Sequence, residues 1–273
     1  MSHEGESTAT ASVEALRRGL ALMAAFEPSD PSLSLADLAH RTELPPSTAL
    51  RLLRTLVDAR YLDRDPVTRR FSPGIATIRL AHLGLAAFGP RDVAYPFLLD
   101  LRRRTAAKVA MGVLLDSTVV LVEQLYATER VGTDYQVGSR MPAYCSSIGK
   151  ALLAELDPAE VARMFGDDDL VGLAPNTITD VRQLLASLRA IRRTGFAIAN
   201  QEISPATRSV SAPVRDRFGV AIAAISISCS AARVSETDLS TRLAAQCVRT
   251  ATEISTALGF RSSRQAEVPT LVR

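Results

Sequence analysis

Apolar positions recur at helical spacing over much of the first ninety residues. In 12–26, SVEALRRGLALMAAF, Val13, Leu16, Leu20 and Met23 fall on one stripe, with Arg17 and Arg18 away from it. This predicts a first helix, with Ser12 as N-cap. EPSDPS then interrupts the pattern with two prolines. Ser34 starts a second helix with Leu35 and Leu38 inward, and Thr42 to Pro45 break it. Ser47 is the expected N-cap of a third, in which Leu50, Leu53, Leu56 and Val57 form an inner face. Arg51, Arg54 and Asp58 lie on its outer face. YLDRDPVTRRFSPG (61–74) predicts a short hairpin turning at Asp65-Pro66 and returning through Arg69, Arg70 and Phe71. Three helices followed by such a hairpin describe a winged helix-turn-helix over 12–73.

Residues 74–89 keep an apolar pattern with little charge. Ile75, Ile78, Leu83 and Leu85 predict a linker helix that buries itself against the same helix of a second chain. The alternative is packing within its own chain. From Pro90 a further helix is expected, with Val93, Phe97 and Leu101 inward. Strands follow at 109–115 and 118–126, joined at Asp116-Ser117, and a third extended run at 130–139. Helices start near Ser146 or Ser147, at Asp157 and at Asp180. The last of these ends at Gly195. Strands at 208–214 and 220–228 flank a turn at Arg217-Phe218-Gly219, and a final helix runs from about Ser235 to Leu258. Hairpin-like strand neighbours with helices around them predict an α+β domain with an antiparallel sheet over 90–260. Polar tails are expected at 1–11 and 261–273.

The 273 residues suit two domains. No apolar run is long enough for a membrane helix, and MSHEGESTAT is not a secretory signal. Cys145, Cys229 and Cys247 are odd in number and widely spaced, so reduced thiols in a cytoplasmic protein are expected and no metal site. The net charge is only +3, but between 41 and 72 seven arginines face four acids. A recognition helix presents its N-terminal residues to the major groove. That makes Ser47, Thr48, Arg51 and Arg54 the candidates there, with Arg51 able to grip guanine by two hydrogen bonds. Arg69 and Arg70 on the wing suit phosphate or minor-groove contact.

In the second domain, strand alternation points Ser226 and Ser228 to one face, and Ser209 and Ser211 repeat this on the neighbouring strand. Hydroxyls in an otherwise apolar pocket suit a small oxygen-bearing ligand. The loop before the 147–156 helix is expected to close the pocket, with helix-start N–H groups attracting a carboxylate and Gly149 letting the ligand approach. Tyr126, Tyr135 and Tyr144 are placed to stack on a ring. Cys145, Ser146, Ser147 and Asn200 complete the candidate effector site. Catalysis is disfavoured: His3, His40 and His82 all precede residue 90, so a serine or cysteine nucleophile in the second domain has no histidine base. Gly149-Lys150 lacks the first glycine of a phosphate loop. A small-molecule-binding scaffold or enzyme on the same domain remains the competing reading.

The stretches LSLADLAHRTELPPSTALRLLRTLVDARYLDRD, SSIGKALLAEL, LAPNTITD, RRTGFAIANQE, SVSAPVRDRFGVAIAAISIS and STALG occur in this order. Together they resemble IclR-type bacterial transcription regulators over nearly the whole chain. The resemblance implies an N-terminal winged helix-turn-helix, a dimerising linker helix and a C-terminal GAF-like effector domain. It also implies operator DNA bound by homodimers or dimers of dimers, a small organic or aromatic acid as effector, and no cofactor. Two departures stand out. Ala199 replaces a frequent acidic residue, and Ala206 and Ser209 stand where many members carry Gly and Cys.

Overall fold

The computed structural model describes residues 13–261 except 28, 127–134 and 167–169. Ser12 and part of the third extended run therefore lie outside the described residues. Contacts divide the chain into two compact units, between Ala87 and Phe88.

The first unit holds α1 (Glu14–Ala24), α2 (Leu35–Arg41), α3 (Pro46–Asp58), β1 (Leu62–Arg64), β2 (Phe71–Pro73) and α4 (Ile75–Ala87). Ser34 caps α2 as its sequence suggests. Its hydroxyl accepts from the Asp37 N–H at 3.2 Å, and the Asp37 carboxylate accepts from the Ser34 N–H at 2.8 Å. Pro45, not Ser47, is the N-cap of α3. Pro46 occupies the first helical position, where its missing N–H costs nothing, and this pushes Ser47 into the first turn. Leu22, Leu33, Leu38, Ala49, Leu53, Leu62 and Phe71 form the core. Leu33 exchanges backbone bonds of 2.9 and 2.7 Å with Phe71, so it adds a bridge to the β1–β2 wing. The apolar stripe of α1 is split: Val13, Leu16 and Leu20 are exposed, Met23 packs on the core, and Leu22, outside the stripe, is the buried residue. Helix α4 buries no residue, and Ile75, Ile78, Leu80 and Leu83 are more than half exposed. Within the first unit, then, α4 finds no packing partner that accounts for its apolar sequence.

The second unit is a six-stranded sheet in the order β5-β4-β3-β8-β7-β6, antiparallel throughout. The strands are β3 (Lys108–Leu115), β4 (Thr118–Leu125), β5 (Arg140–Pro142), β6 (Ala197–Asn200), β7 (Thr207–Arg215) and β8 (Ala221–Ser230). In the described part of the expected run at 130–139, residues 136–139 turn at Gly138 (φ +88°), and the strand that pairs with β4 is 140–142. One sheet face carries α5 (Gly89–Thr105) and α10 (Ala244–Ala257). In α5 the buried residues are Ala94, Leu98 and Leu101. Val93 and Phe97 are half-buried, because the helix turns its buried face one residue further on. A short turn, α9 (Glu236–Asp238), and a wide π turn (Leu239–Leu243) precede α10. The other sheet face carries α6 (Ser147–Leu153), with α7 (Pro158–Phe165) and α8 (Val181–Thr194) outside it. Asp157 and Asp180 cap α7 and α8 as expected, and Gly195 ends α8 in the left-handed region at φ +79°.

Candidate nucleic-acid interface and effector cavity

On the first unit, α3 leaves Ser47, Arg51 and Arg54 exposed and Thr48 half-buried. They occupy the helix-turn-helix position that lies in the major groove in proteins of this construction. On the wing, Asp65 accepts from the N–H groups of Thr68 (2.6 Å) and Val67 (2.9 Å), and the bonds from Thr68 first, then Val67, hold its carboxyl below the usual range. That turn presents Arg69 to solvent at φ +61°. Arg70 behaves differently from the expectation. Its guanidinium donates to the Ser32 carbonyl at 3.2 and 2.6 Å and lies 3.5 Å from Asp37, so it fastens the wing to the body. Arg64, which drew no notice in the sequence, lies over the Phe71 ring at 5.4 Å on the same exposed wing.

In the second unit the sheet register aligns two rows of side chains under α6. Gln124, Ala110, Ser226 and Ser211 are cross-strand neighbours in one row. Lys108, Ser228, Ser209 and Ala199 form the next. Above them Ser147 accepts from the Ser211 hydroxyl (2.7 Å) and donates to Ser209 (2.8 Å). A cavity of about 580 Å³, its mouth included, opens beside this hydroxyl chain. Ser146, Ser147 and Ile148 form its roof. Lys108, Ala110, Ser209, Ser226 and Ser228 form its floor, and Leu121, Gln124, Tyr135, Met141, Glu202, Ile203 and Thr207 are among its walls.

Behind the roof, α6 is buried at every residue, Lys150 included. The Lys150 ammonium bonds Glu202 Oε1 at 2.6 Å, with the two side chains 2% and 8% exposed. Burial pushes the Glu202 carboxyl up, against the pull of Lys150.

Comparison with known proteins agrees with this architecture. Residues 15–66 match the IclR helix-turn-helix domain, and residues 85–256 match the bacterial transcriptional regulator IclR C-terminal family. The chain belongs to the IclR family. It is 31% identical to the Pca regulon regulatory protein of Pseudomonas putida over 83% of this chain and 78% of that one. It is 30% identical to the HTH-type transcriptional repressor AllR of Escherichia coli over 95% of each. Among solved structures, an IclR homologue from Microbacterium hydrocarbonoxydans, complexed with 4-hydroxybenzoate, aligns with a TM-score of 0.74 at 27% identity. The alignment covers 89% of this chain and 98% of that one. The chain is therefore a DNA-binding transcriptional regulator and not an enzyme. No helix among the described residues is long and apolar enough to cross a membrane.

This IclR chain brings together six of the eleven expected effector-site residues. Tyr135, Ser146, Ser147, Ser209, Ser226 and Ser228 line the cavity. The other five do not. Tyr126 is exposed. Tyr144 donates to the Val171 carbonyl at 2.6 Å and packs edge-on against Phe165. Asn200 spends its side-chain oxygen on Arg208 (2.7 Å). Gly149 serves packing rather than ligand approach: a Cβ there would lie 2.3 Å from the Ala143 backbone. Its N–H already donates to Ser146 Oγ at 3.0 Å. Cys145 is fully buried in the core. Sequence reading missed Lys108, Gln124, Glu202 and Thr207, which sit in otherwise ordinary strand and loop segments. Burial pushes the thiols of Cys145, Cys229 and Cys247 up to about 12, 11 and 12. At pH 8 all three stay protonated. Native protein is expected to resist iodoacetamide over a period in which urea-unfolded protein alkylates at all three, as read by intact mass.

Proposed function

We propose that this regulator binds operator DNA as a homodimer, or a dimer of dimers, and governs a catabolic operon in the cytoplasm. A small organic acid, aromatic acids first, sets its DNA affinity. The cavity carries this reading. Three serines and Lys108 stand on its floor, and Tyr135 and apolar side chains stand around them. That is a lining suited to an acid with an apolar body. Similarity to the Pca regulon regulatory protein and to a homologue complexed with 4-hydroxybenzoate supports the aromatic choice. On DNA, Thr48 and Arg51 read bases, Ser47 and Arg54 contact phosphates, and Arg69 contacts the backbone or minor groove. Arg70 holds the wing. The test is fluorescence anisotropy on DNA from the protein's own promoter, with and without 4-hydroxybenzoate and a panel of organic acids. An acid-dependent change in DNA affinity supports the proposal. Unchanged affinity with every acid that binds rejects effector control.

The exposed residues Val13, Leu16 and Leu20 of α1 and Ile75, Ile78, Leu80 and Leu83 of α4 support the dimer. Such a length of uncovered apolar helix favours association with a second copy. Ile78→Asp/Leu83→Asp is expected to sediment as a smaller species. Losing the second half-site contact should weaken operator binding by roughly 100-fold or more. Sedimentation velocity and anisotropy check both, and an unaltered sedimentation coefficient rejects the α4 interface.

A further inference from the structure

Setting aside Glu123 Oε2, which is ion-paired with Arg91 at 2.8 Å, five buried side-chain atoms among the described residues lack a hydrogen-bond partner in the protein. Four of them sit on walls of the one cavity: Gln124 Oε1 and Nε2, Glu202 Oε2 and Thr207 Oγ1. Gln124 and Glu202 are each more than nine-tenths buried. Buried polar atoms are almost always paired, so such a concentration points to a ligand that pairs them.

The four atoms fall at two ends. Gln124 on β4 stands opposite Ala110 on β3, and Lys108 lies two residues along on the same face. The amide and the ammonium are thus diagonal neighbours, and both supply donors. Thr207 and Glu202 are at the other end. The N–H of Gln201, next to Glu202, donates to the Thr207 carbonyl at 3.0 Å, and Glu202 follows edge strand β6. From β4 to β6 there are four interstrand steps, roughly 19 Å from backbone to backbone at ~4.8 Å each. Lys108 on β3 and Thr207 on β7 are only two of these steps apart, roughly 10 Å at ~4.8 Å each, so the ligand the two ends share is a small one. Oε1 of Glu202 is held by Lys150, which fixes the carboxylate and leaves Oε2 as an acceptor.

We propose that the cavity selects a carboxylic acid bearing a hydrogen-bond donor, such as a hydroxyl, at the end remote from the carboxylate. The carboxylate lies at Gln124 Nε2 and Lys108, and the remote donor points at Glu202 Oε2 and Thr207 Oγ1. This rests on the acid-effector reading above and adds the class and orientation of the acid. Ala110, between Gln124 and Ser226 in the floor row, keeps the middle open for the ligand's body.

The test is isothermal titration of the full-length protein with benzoate, 4-hydroxybenzoate, 4-methoxybenzoate, hexanoate and 6-hydroxyhexanoate. A site built to bond a hydroxyl discriminates strongly against analogues that lack the donor. Within whichever series binds, the hydroxy acid is expected to bind about tenfold or more tightly than its parent. In the aromatic series the methyl ether should be rejected as well. Equal affinity for hydroxy acid and parent overturns this assignment and leaves the acid-effector reading standing. Binding of none of the five overturns both.

Two variants add a signature that a purely structural role does not produce. Gln124→Met removes two unpartnered buried polar atoms. It is expected to raise the Tm of ligand-free protein while weakening the preferred hydroxy acid about tenfold. Thr207→Val should narrow the ratio between hydroxy acid and parent. A Tm that falls with Gln124→Met, or a Thr207→Val loss equal for both ligands, overturns the assignment of those side chains.

Discussion

Lys150→Ala is expected to destabilise the C-terminal unit by about 3–5 kcal/mol. The substitution strands the buried Glu202 carboxylate, which otherwise receives only the Asn200 N–H at 3.3 Å. Removing one partner of a buried pair costs far more than the pair itself contributes, because the survivor stays charged without compensation. The double variant Lys150→Met/Glu202→Leu should therefore recover most of the loss, since it leaves no orphan charge. Urea denaturation followed by circular dichroism gives both numbers. A single variant within ~0.5 kcal/mol of the parent protein would mean that solvent reaching the cavity satisfies Glu202, and the pair would then not hold α6 on the sheet. The same double variant removes the proposed donor-reading carboxylate, so it should fold while losing preference for a hydroxy acid.

Arg51→Ala is expected to erase sequence preference, and Arg69→Ala to weaken all DNA alike. Arg51 is exposed on α3 one turn beyond Thr48, the position that the proposed reading turns towards base edges. A bidentate grip on guanine is worth ~1–3 kcal/mol of discrimination, or roughly 5- to 150-fold. Arg69 projects from the wing turn, where the proposed reading gives it a phosphate contact. Its loss should lower affinity on operator and scrambled DNA by the same factor, and should reduce the slope of log affinity against log salt by about 0.9. Gel shifts with both probes at several salt concentrations separate the two roles. An equal loss on both probes for Arg51→Ala would show that it too contacts only the backbone. Arg70→Ala belongs to neither class. Its bonds to Ser32 predict a loosened wing and lower stability of the first unit.

Local sequence determined the elements wherever one residue type leaves few choices. Ser34 and Asp37 close a capping box from neighbouring positions, so α2 begins where the letters say. Asp180 and Gly195 bound α8 for the same reason. The alternation of Ser226 and Ser228 put both on one face, and both reached the cavity. Errors arose where a choice depended on a distant partner. The α1 stripe is apolar at helical spacing, yet Val13, Leu16 and Leu20 stay outside, because periodicity reports that a face is apolar and not what covers it. Gly149 looked like a door for a ligand, but only the three-dimensional approach of Ala143 shows why no side chain fits there. Lys108, Gln124, Thr207 and Glu202 carry no local pattern. They come from β3, β4, β7 and the turn after β6, and only the strand order and register bring them to one cavity. By itself, then, the sequence determined a winged helix-turn-helix followed by an antiparallel α+β domain, and the family. Tertiary structure alone decided which polar groups share a cavity and which are already spent on each other, because hydrogen-bond satisfaction depends on contacts between residues far apart in the chain.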